Sequence, residues 1–167
     1  MNREEAKLIF RNAAKKLSKE KLHFHTIQFL ERKEKSQYNY SPLGSGILIQ
    51  IEDHYIIFTA SHVTNNISIE SLYINTRIGV QRIIGSYHNS NLGIDEYVDL
   101  AYIILDKMFG LLLAETYQFL RLTQISHSHT PKETSNYMVC GYPEKKYMGN
   151  RRRYLYWFIS FFIEYGK

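Results

Sequence analysis

The sequence predicts an all-β domain, either a barrel or a sandwich, preceded by one N-terminal α-helix. Aromatic residues make up 14% of the chain and include 14 tyrosines, and aromatic and β-branched side chains suit the half-buried surface of a sheet. After residue 22 the apolar residues alternate or form short runs between turn residues, as strands do. A length of 167 residues suffices for one domain with a substantial core and is short for two.

The helix is predicted over residues 3–21. Asn2 suits the N-cap position, and Glu4 and Glu5 suit the first turn, where carboxylates interact favourably with the helix dipole. Apolar side chains at helical spacing form one stripe: Ala6, Ile9, Phe10, Ala13 and Leu17. This stripe predicts that the helix packs against the outside of the sheet.

Strand patterns fill most of the remaining sequence. Strands are predicted at residues 22–30, 46–51, 55–58, 71–75, 79–84, 98–105, 137–141 and 153–163. Residues 52–54 join two apolar runs in the manner of a β-hairpin, and residues 32–42 are polar and predict a loop. Residues 108–120 are richer in Leu and Ala and predict a short helix or a loop.

The formal charge of +5 arises from 21 basic and 16 acidic residues. Basic residues concentrate at positions 15–21, on the expected solvent face of the helix, and at positions 151–153. Since no aromatic RNA-binding motif accompanies either group, we expect solvated surfaces and no nucleic-acid partner.

Cysteine content and the N-terminus predict the compartment. Cys140 is the single cysteine, so no internal disulfide can form, which favours a reducing environment. The N-terminus carries charges throughout and lacks the apolar core of a signal peptide. The longest apolar stretch, residues 157–163, is too short to span a bilayer. We therefore expect a cytoplasmic protein with no membrane partner.

Three local motifs occur in an informative order. The first is GSG at residues 44–46, followed through an apolar hairpin by TASHV at residues 59–63. The second is DLAYIIL at residues 99–105, and the third is GYP at residues 141–143. Together they resemble the trypsin-like (chymotrypsin-fold) serine peptidases, especially the bacterial intracellular members, over residues 44–143.

The resemblance implies roles for two side chains. A serine hydroxyl is a poor nucleophile at neutral pH and needs a neighbouring imidazole to accept its proton. By resemblance, His62 is that general base and then the general acid towards the leaving amine, and Asp99 orients the imidazole and stabilises its charged form. Apolar neighbours predict a partly dry setting for Asp99. Ser45 and Ser61 have packing and turn roles in the resemblance, and alanine is common in the family at the position of Ser61.

The resemblance further implies a chymotrypsin-like antiparallel β-barrel, a peptide or protein substrate, and no cofactor. In the family the nucleophile lies in a Gly-x-Ser-Gly-Gly motif after GYP, and the 167 residues contain no such motif. Ser160 follows GYP but has no glycine beside it, so we interpret it as a strand residue. The predicted organisation is an N-terminal helix (1–21), a first barrel (22–130) and the opening strands of an incomplete second barrel (131–167). As written, the chain is expected to be an endopeptidase domain without its nucleophile, and inactive.

Other interpretations stay open. The chain could be an early-terminated relative or a fragment of a peptidase, or a non-catalytic binding or scaffold module built on a degenerate protease fold. A third possibility is a regulatory module that recruits a partner through the helix at residues 3–21. The apolar segment 154–165 contains one charge and no proline, which predicts self-association through an unpaired strand edge.

Two pairs of histidines raise the possibility of a metal site. His23 and His25, and likewise His127 and His129, are two positions apart, which on a strand places both rings on one face. Zinc needs three or four ligands, and the sequence has a single cysteine and no paired HxxxH motif. We therefore expect no metal site.

Overall fold

A computed structural model describes residues 21–32, 40–64, 67–89 and 99–125, the separate residues 2, 5, 8, 9, 12, 13 and 16, and the pairs Met138–Val139 and Phe161–Phe162. The described chain is mostly β and forms a curled, largely antiparallel sheet with the shape of half a barrel. The prediction of a β-rich, barrel-like fold is confirmed at this level.

Ten strands and two α-helices have both of their ends within the described residues. The strands are β1 (Thr26–Arg32), β2 (Tyr40–Ile51), β3 (His54–Thr59), β4 (Leu72–Thr76), β5 (Gly79–Arg82), β6 (Gly85–Asn89), β7 (Ala101–Leu105), β8 (Leu120–Arg121), β9 (Met138–Val139) and β10 (Phe161–Phe162). The α-helices are α1 (Ser61–Thr64) and α2 (Lys107–Ala114), and 3-10 turns occupy Leu22–His25, Ile69–Ser71 and Leu122–Gln124.

The main sheet has the strand order β5-β4-β1-β2-β3-β7-β6, with antiparallel neighbours throughout. The short strand β8 pairs in parallel with β2 at Ile49 and Gln50. β9 and β10 form a separate antiparallel pair. The predicted boundary at residue 130 lies outside the described residues, as does most of the apolar segment 154–165.

The predicted hairpin joins β2 to β3. Ile51 pairs with His54, so the connection consists of two residues, Glu52 and Asp53. Glu52 has φ 52°, in the left-handed region that tight hairpin turns require at their first position. This turn fixes the register between two apolar strands and thereby decides which side chains face the core.

The core lies on one face of the sheet. Leu48 pairs with Ile57, and Ile57 pairs with Ile103, so three fully buried side chains form a row across β2, β3 and β7. Eight further buried side chains complete the cluster: Ile27, Phe29, Leu72, Ile74, Ile83, Leu105, Phe109 and Leu113. Burying each such side chain stabilises the fold by about 1.5–3 kcal/mol.

Helix α2 packs one face onto this core. The Asp106 side chain caps the helix by accepting hydrogen bonds from the backbone N–H groups of Met108 at 2.9 Å and Phe109 at 3.2 Å. Phe109 and Leu113 lie one turn apart and are both buried. Of residues 108–120, for which a helix or a loop was predicted, the first part is helical, up to Ala114.

The predicted strand bounds are wrong in several places. Residues Leu22–His25 form a 3-10 turn rather than the start of a strand, and β1 begins at Thr26. β2 begins at Tyr40, inside the loop predicted at residues 32–42, because this part of the chain pairs with β1. β6 (Gly85–Asn89) lies beyond the strand predicted at residues 79–84. Its sequence is polar and its residues are half-buried or exposed, so it offers no apolar alternation. The backbone of β6 becomes a strand because it pairs with β7.

The N-terminal segment is described at seven positions. Asn2 and Glu5 exchange two hydrogen bonds, from the Asn2 N–H to Glu5 Oε2 at 3.0 Å and from the Glu5 N–H to Asn2 Oδ1 at 2.8 Å. Ile9 and Ala13, two members of the predicted apolar stripe, are exposed, so packing on the sheet is not seen at these positions. The helix over residues 3–21 stays a prediction. No described helix has the length and apolar character needed to cross a membrane.

Candidate functional site

The candidate site lies where β3 ends and β7 begins. These strands are antiparallel neighbours, and Thr59, the last residue of β3, pairs with Ala101, the first residue of β7. The chain that leaves β3 and the chain that enters β7 therefore meet at the same edge of the sheet. His62 follows β3 in helix α1, and Asp99 precedes β7 by two residues. Their contact is a consequence of strand pairing, although 37 positions separate them.

Gly46 of the GSG motif leaves space in the core for side chains of β1 and β3. A Cβ atom at Gly46 would lie 2.5 Å from Ile57 Cγ2 and 3.0 Å from Phe29 Cε2. Both neighbours are fully buried. A hydrogen at this position leaves room for these two larger side chains in the core.

The other two residues of the motif contact the TASHV segment. A Cβ atom at Gly44 would lie 2.8 Å from Val63 Cγ1, so the absence of a side chain lets α1 approach β2. The Thr59 hydroxyl donates a hydrogen bond to the Ser45 carbonyl oxygen at 2.8 Å. The two motifs are thus one packing unit, and Ser45 contributes through its backbone, in keeping with a packing role.

Asp99 accepts three hydrogen bonds from two consecutive residues. The His62 ring nitrogen Nδ1 lies 2.5 Å from Asp99 Oδ2. The His62 backbone N–H donates to Asp99 Oδ1 at 2.9 Å, and the Ser61 hydroxyl donates to the same oxygen at 2.7 Å. The structure brings His62 and Asp99 together, and their catalytic roles stay a prediction.

These contacts keep Asp99 ionised. The pKa of its carboxyl group falls from 3.8 to about 2, chiefly because the backbone N–H of His62 hydrogen-bonds to it, and next because of the Ser61 hydroxyl and the His62 ring. An ionised carboxylate only accepts hydrogen bonds, so Nδ1 of His62 must carry the proton in their contact. In the neutral ring Nε2 is then unprotonated and is free to act as a base.

The accessibility of the pair suits proton transfer to a bound molecule. The His62 side chain is 71% exposed and that of Asp99 is 51% exposed. Among the described residues, Nε2 of His62 has no hydrogen-bond partner. The sequence predicted a partly dry carboxylate, but half of the Asp99 side chain meets solvent. Hydrogen bonds rather than burial therefore set its pKa.

A second polar network lies beneath α1 and fixes its position. Thr64, which is buried, donates its hydroxyl proton to the Ser61 carbonyl oxygen at 3.2 Å. The hydroxyls of Thr64 and Tyr87 are 2.7 Å apart. Because Thr64 has one hydroxyl proton and uses it on Ser61, the Tyr87 hydroxyl must be the donor in this second contact. This hydrogen bond connects helix α1 to strand β6.

Sequence reasoning missed the support that Ser61 and Tyr87 give to the site. Ser61 lies inside the TASHV motif, so its hydroxyl was visible as a possible donor. Tyr87 lies on β6, which carries no strand signal, and nothing in its sequence neighbourhood points to Thr64.

His23 and His25 do not form a metal site with other described residues. His25 Nδ1 lies 2.7 Å from the Gln118 carbonyl oxygen, and the His23 ring lies against Phe24 with centroids 3.8 Å apart. Both histidines belong to a 3-10 turn rather than to one face of a strand. No group of three His, Cys, Asp or Glu side chains converges among the described residues. His127, His129, Cys140, the GYP motif and Ser160 lie outside the described residues.

A scan against models of known protein families and a search of curated proteins found no match for this chain. The resemblance to serine peptidases therefore depends on the three sequence motifs, and its functional content is a proposal.

Proposed function

We propose that this chain supplies the general base and its orienting carboxylate for peptide-bond hydrolysis by a serine mechanism, on a chymotrypsin-like fold. The observation that supports this most directly is the contact of the ionised Asp99 carboxylate with Nδ1 of His62, which leaves Nε2 unprotonated beside solvent. This is the tautomer and orientation that a base acting on a serine hydroxyl needs.

Each residue has a defined part in the proposed reaction. Nε2 of His62 takes the proton of a serine hydroxyl while the serine oxygen forms a bond to the peptide carbonyl carbon. Asp99 stabilises the imidazolium that results. The imidazolium then gives its proton to the amide nitrogen as the carbon–nitrogen bond breaks, and water releases the acyl group by the same steps.

The proposal assigns no nucleophile to these 167 residues. The sequence contains no Gly-x-Ser-Gly-Gly motif, and this motif would also supply the backbone N–H groups that stabilise the oxyanion. We therefore propose that the polypeptide of 167 residues is inactive by itself. The finer organisation belongs to the same proposal: a helix (1–21), a first barrel (22–130) and the opening strands of a second barrel (131–167).

The inactivity is tested with a fluorophosphonate probe, which reacts with activated serines. We expect neither labelling of the purified chain nor hydrolysis of peptide and ester substrates. Labelling that disappears in a Ser160→Ala variant would show that Ser160 is a nucleophile and not a strand residue.

The positive test begins with the nucleotide sequence beyond codon 167. If it encodes a Gly-x-Ser-Gly-Gly motif in any frame, the protein that includes it is expected to hydrolyse peptides. His62→Ala should then abolish hydrolysis, and Asp99→Asn should lower kcat by about 10⁴-fold, since the amide favours the wrong tautomer of the ring. His54→Ala, at an exposed histidine of the β2–β3 hairpin, is the matched control and should retain activity. Hydrolysis that survives His62→Ala would contradict the proposal.

The second candidate function is a non-catalytic binding or scaffold module on a degenerate protease fold. The absence of the nucleophile motif from the 167 residues favours it. It predicts that no Gly-x-Ser-Gly-Gly motif is encoded beyond codon 167. It also predicts that His62→Ala leaves the binding of a natural partner unchanged.

A further inference from the structure

The Ser61 side chain differs from its neighbours in the site because it is fully buried. Its relative exposure is 0%, whereas the side chains of His62 and Asp99 are largely or half exposed. The hydroxyl nevertheless reaches the carboxylate, with Oγ 2.7 Å from Asp99 Oδ1. A buried donor thus approaches the carboxylate from the protein side, while the ring of His62 lies on the solvent side.

The arrangement of donors constrains the orientation of the carboxylate. Oδ1 accepts from two groups, the Ser61 hydroxyl and the His62 backbone N–H, and Oδ2 faces the His62 ring. A carboxylate half in water can exchange protein donors for water molecules and rotate about its Cβ–Cγ bond. Two donors fixed on one oxygen oppose this rotation and keep the other oxygen directed at Nδ1.

Building on the proposed function, we propose that Ser61 is a positioning residue of the site. Its buried hydroxyl, together with the backbone N–H of His62, holds Oδ1 of Asp99 so that Oδ2 stays on Nδ1 of His62. Alanine, which the resemblance makes common at this position, would provide no side-chain donor. Among the described residues, the donors that hold the carboxylate are Ser61 and His62, which both belong to helix α1.

Two further features support the assignment. Helix α1 cannot shift easily, because Thr64 binds the Ser61 carbonyl oxygen and is itself bound by Tyr87. The Ser61 hydroxyl also contributes to the lowered pKa of Asp99, second only to the His62 backbone N–H. A hydroxyl that merely filled space would not stabilise the ionised form of its neighbour.

The proposal is tested by following the carboxyl carbon of Asp99 and the ring nitrogens of His62 by NMR in the 167-residue chain. In Ser61→Ala we expect the pKa of Asp99 to rise from about 2 towards 3.8, without reaching it, since the backbone N–H of His62 remains. We also expect a smaller fraction of neutral His62 to carry its proton on Nδ1. The matched control is Thr59→Val, which removes another buried hydroxyl of the same segment, one bonded to Ser45 and not to Asp99.

The pKa of Asp99 and the tautomer of His62 distinguish the possible outcomes. A rise in the pKa of Asp99 in Ser61→Ala, with no rise in Thr59→Val, supports the proposal. An unchanged pKa and an unchanged His62 tautomer in Ser61→Ala overturn it. Should Ser61→Ala not fold, Ser61→Cys fills the same space with a weak donor and should shift the pKa in the same direction. None of these measurements uses hydrolysis, so the proposed peptidase function can fail its own test while the positioning role stands, and the reverse.

Discussion

Gly46→Ala is expected to destabilise the fold by overpacking the core beside the candidate site. The new Cβ would lie 2.5 Å from Ile57 Cγ2, about 0.9 Å inside the 3.4 Å at which ordinary contacts begin. It would also lie 3.0 Å and 3.1 Å from two atoms of the Phe29 ring. Ile57 and Phe29 are both fully buried, so neither can move into solvent to relieve the overlap.

The magnitude follows from these contacts. Overpacking a well-packed core costs about 1–3 kcal/mol, and three close contacts place Gly46→Ala near the upper end. Replacing Gly by Ala also restricts the unfolded chain, which offsets about 0.4–1 kcal/mol. The free energy of unfolding should therefore fall by about 2 kcal/mol. For a chain of this size that corresponds to a decrease in Tm of about 4–8 °C.

Thermal unfolding followed by circular dichroism measures this change, and a double-mutant cycle tests its cause. Ile57→Ala removes the Cγ2 atom that the new methyl group meets, and alone should cost about 2–5 kcal/mol. The double variant should be more stable than additivity predicts by about 1 kcal/mol or more, because the methyl group introduced at position 46 fills part of the cavity. A Tm for Gly46→Ala within about 1 °C of wild type, or an additive cycle, would refute this account of the GSG motif.

Three further predictions concern the acid range, the network under α1 and the hairpin turn. The pKa of Asp99 is about 2 in the folded protein, against an ordinary value of 3.8. The stability that Asp99 contributes is therefore complete above about pH 3.8 and is lost as the pH falls towards 2. Urea unfolding midpoints across this range should fall more for wild type than for Asp99→Asn. Tyr87→Phe removes a hydrogen bond to Thr64 and should cost about 1 kcal/mol in urea unfolding; an unchanged midpoint would show that this contact does not stabilise the fold. Glu52→Gly should stabilise by about 0.5 kcal/mol, since glycine adopts φ 52° without steric cost, whereas Asp53→Gly should give no such gain in the same assay.

The hairpin and the central pair could be predicted because their signals are local. Apolar runs on both sides of residues 52–54 indicate a hairpin without reference to the rest of the chain. His62 and Asp99 each lie within three residues of a strand end, in motifs that resemble one family. Once β3 and β7 are neighbours, their meeting at one edge follows from the antiparallel register.

The parts that sequence reasoning missed depend on tertiary contacts. β6 has the sequence GSYHN and carries no apolar alternation, so its backbone becomes a strand through pairing with β7. Residues 22–25 alternate in polarity like a strand but form a 3-10 turn, whose His25 ring contacts the Gln118 carbonyl. Tyr87 supports α1 across the sheet, and no spacing along the chain encodes that contact.

We propose a chemical role rather than a structural one for His62 and Asp99. Gly44, Gly46 and Thr59 explain how the motifs pack, and none of their contacts requires the imidazole of His62. Asp99 would serve as a cap for α1 by accepting the His62 backbone N–H alone. The contact between the two side chains is exposed, and exposed ion pairs add little to stability because water competes for both partners. Packing therefore accounts for the motif around His62 but not for its ring, whose defined tautomer and open Nε2 suit proton transfer.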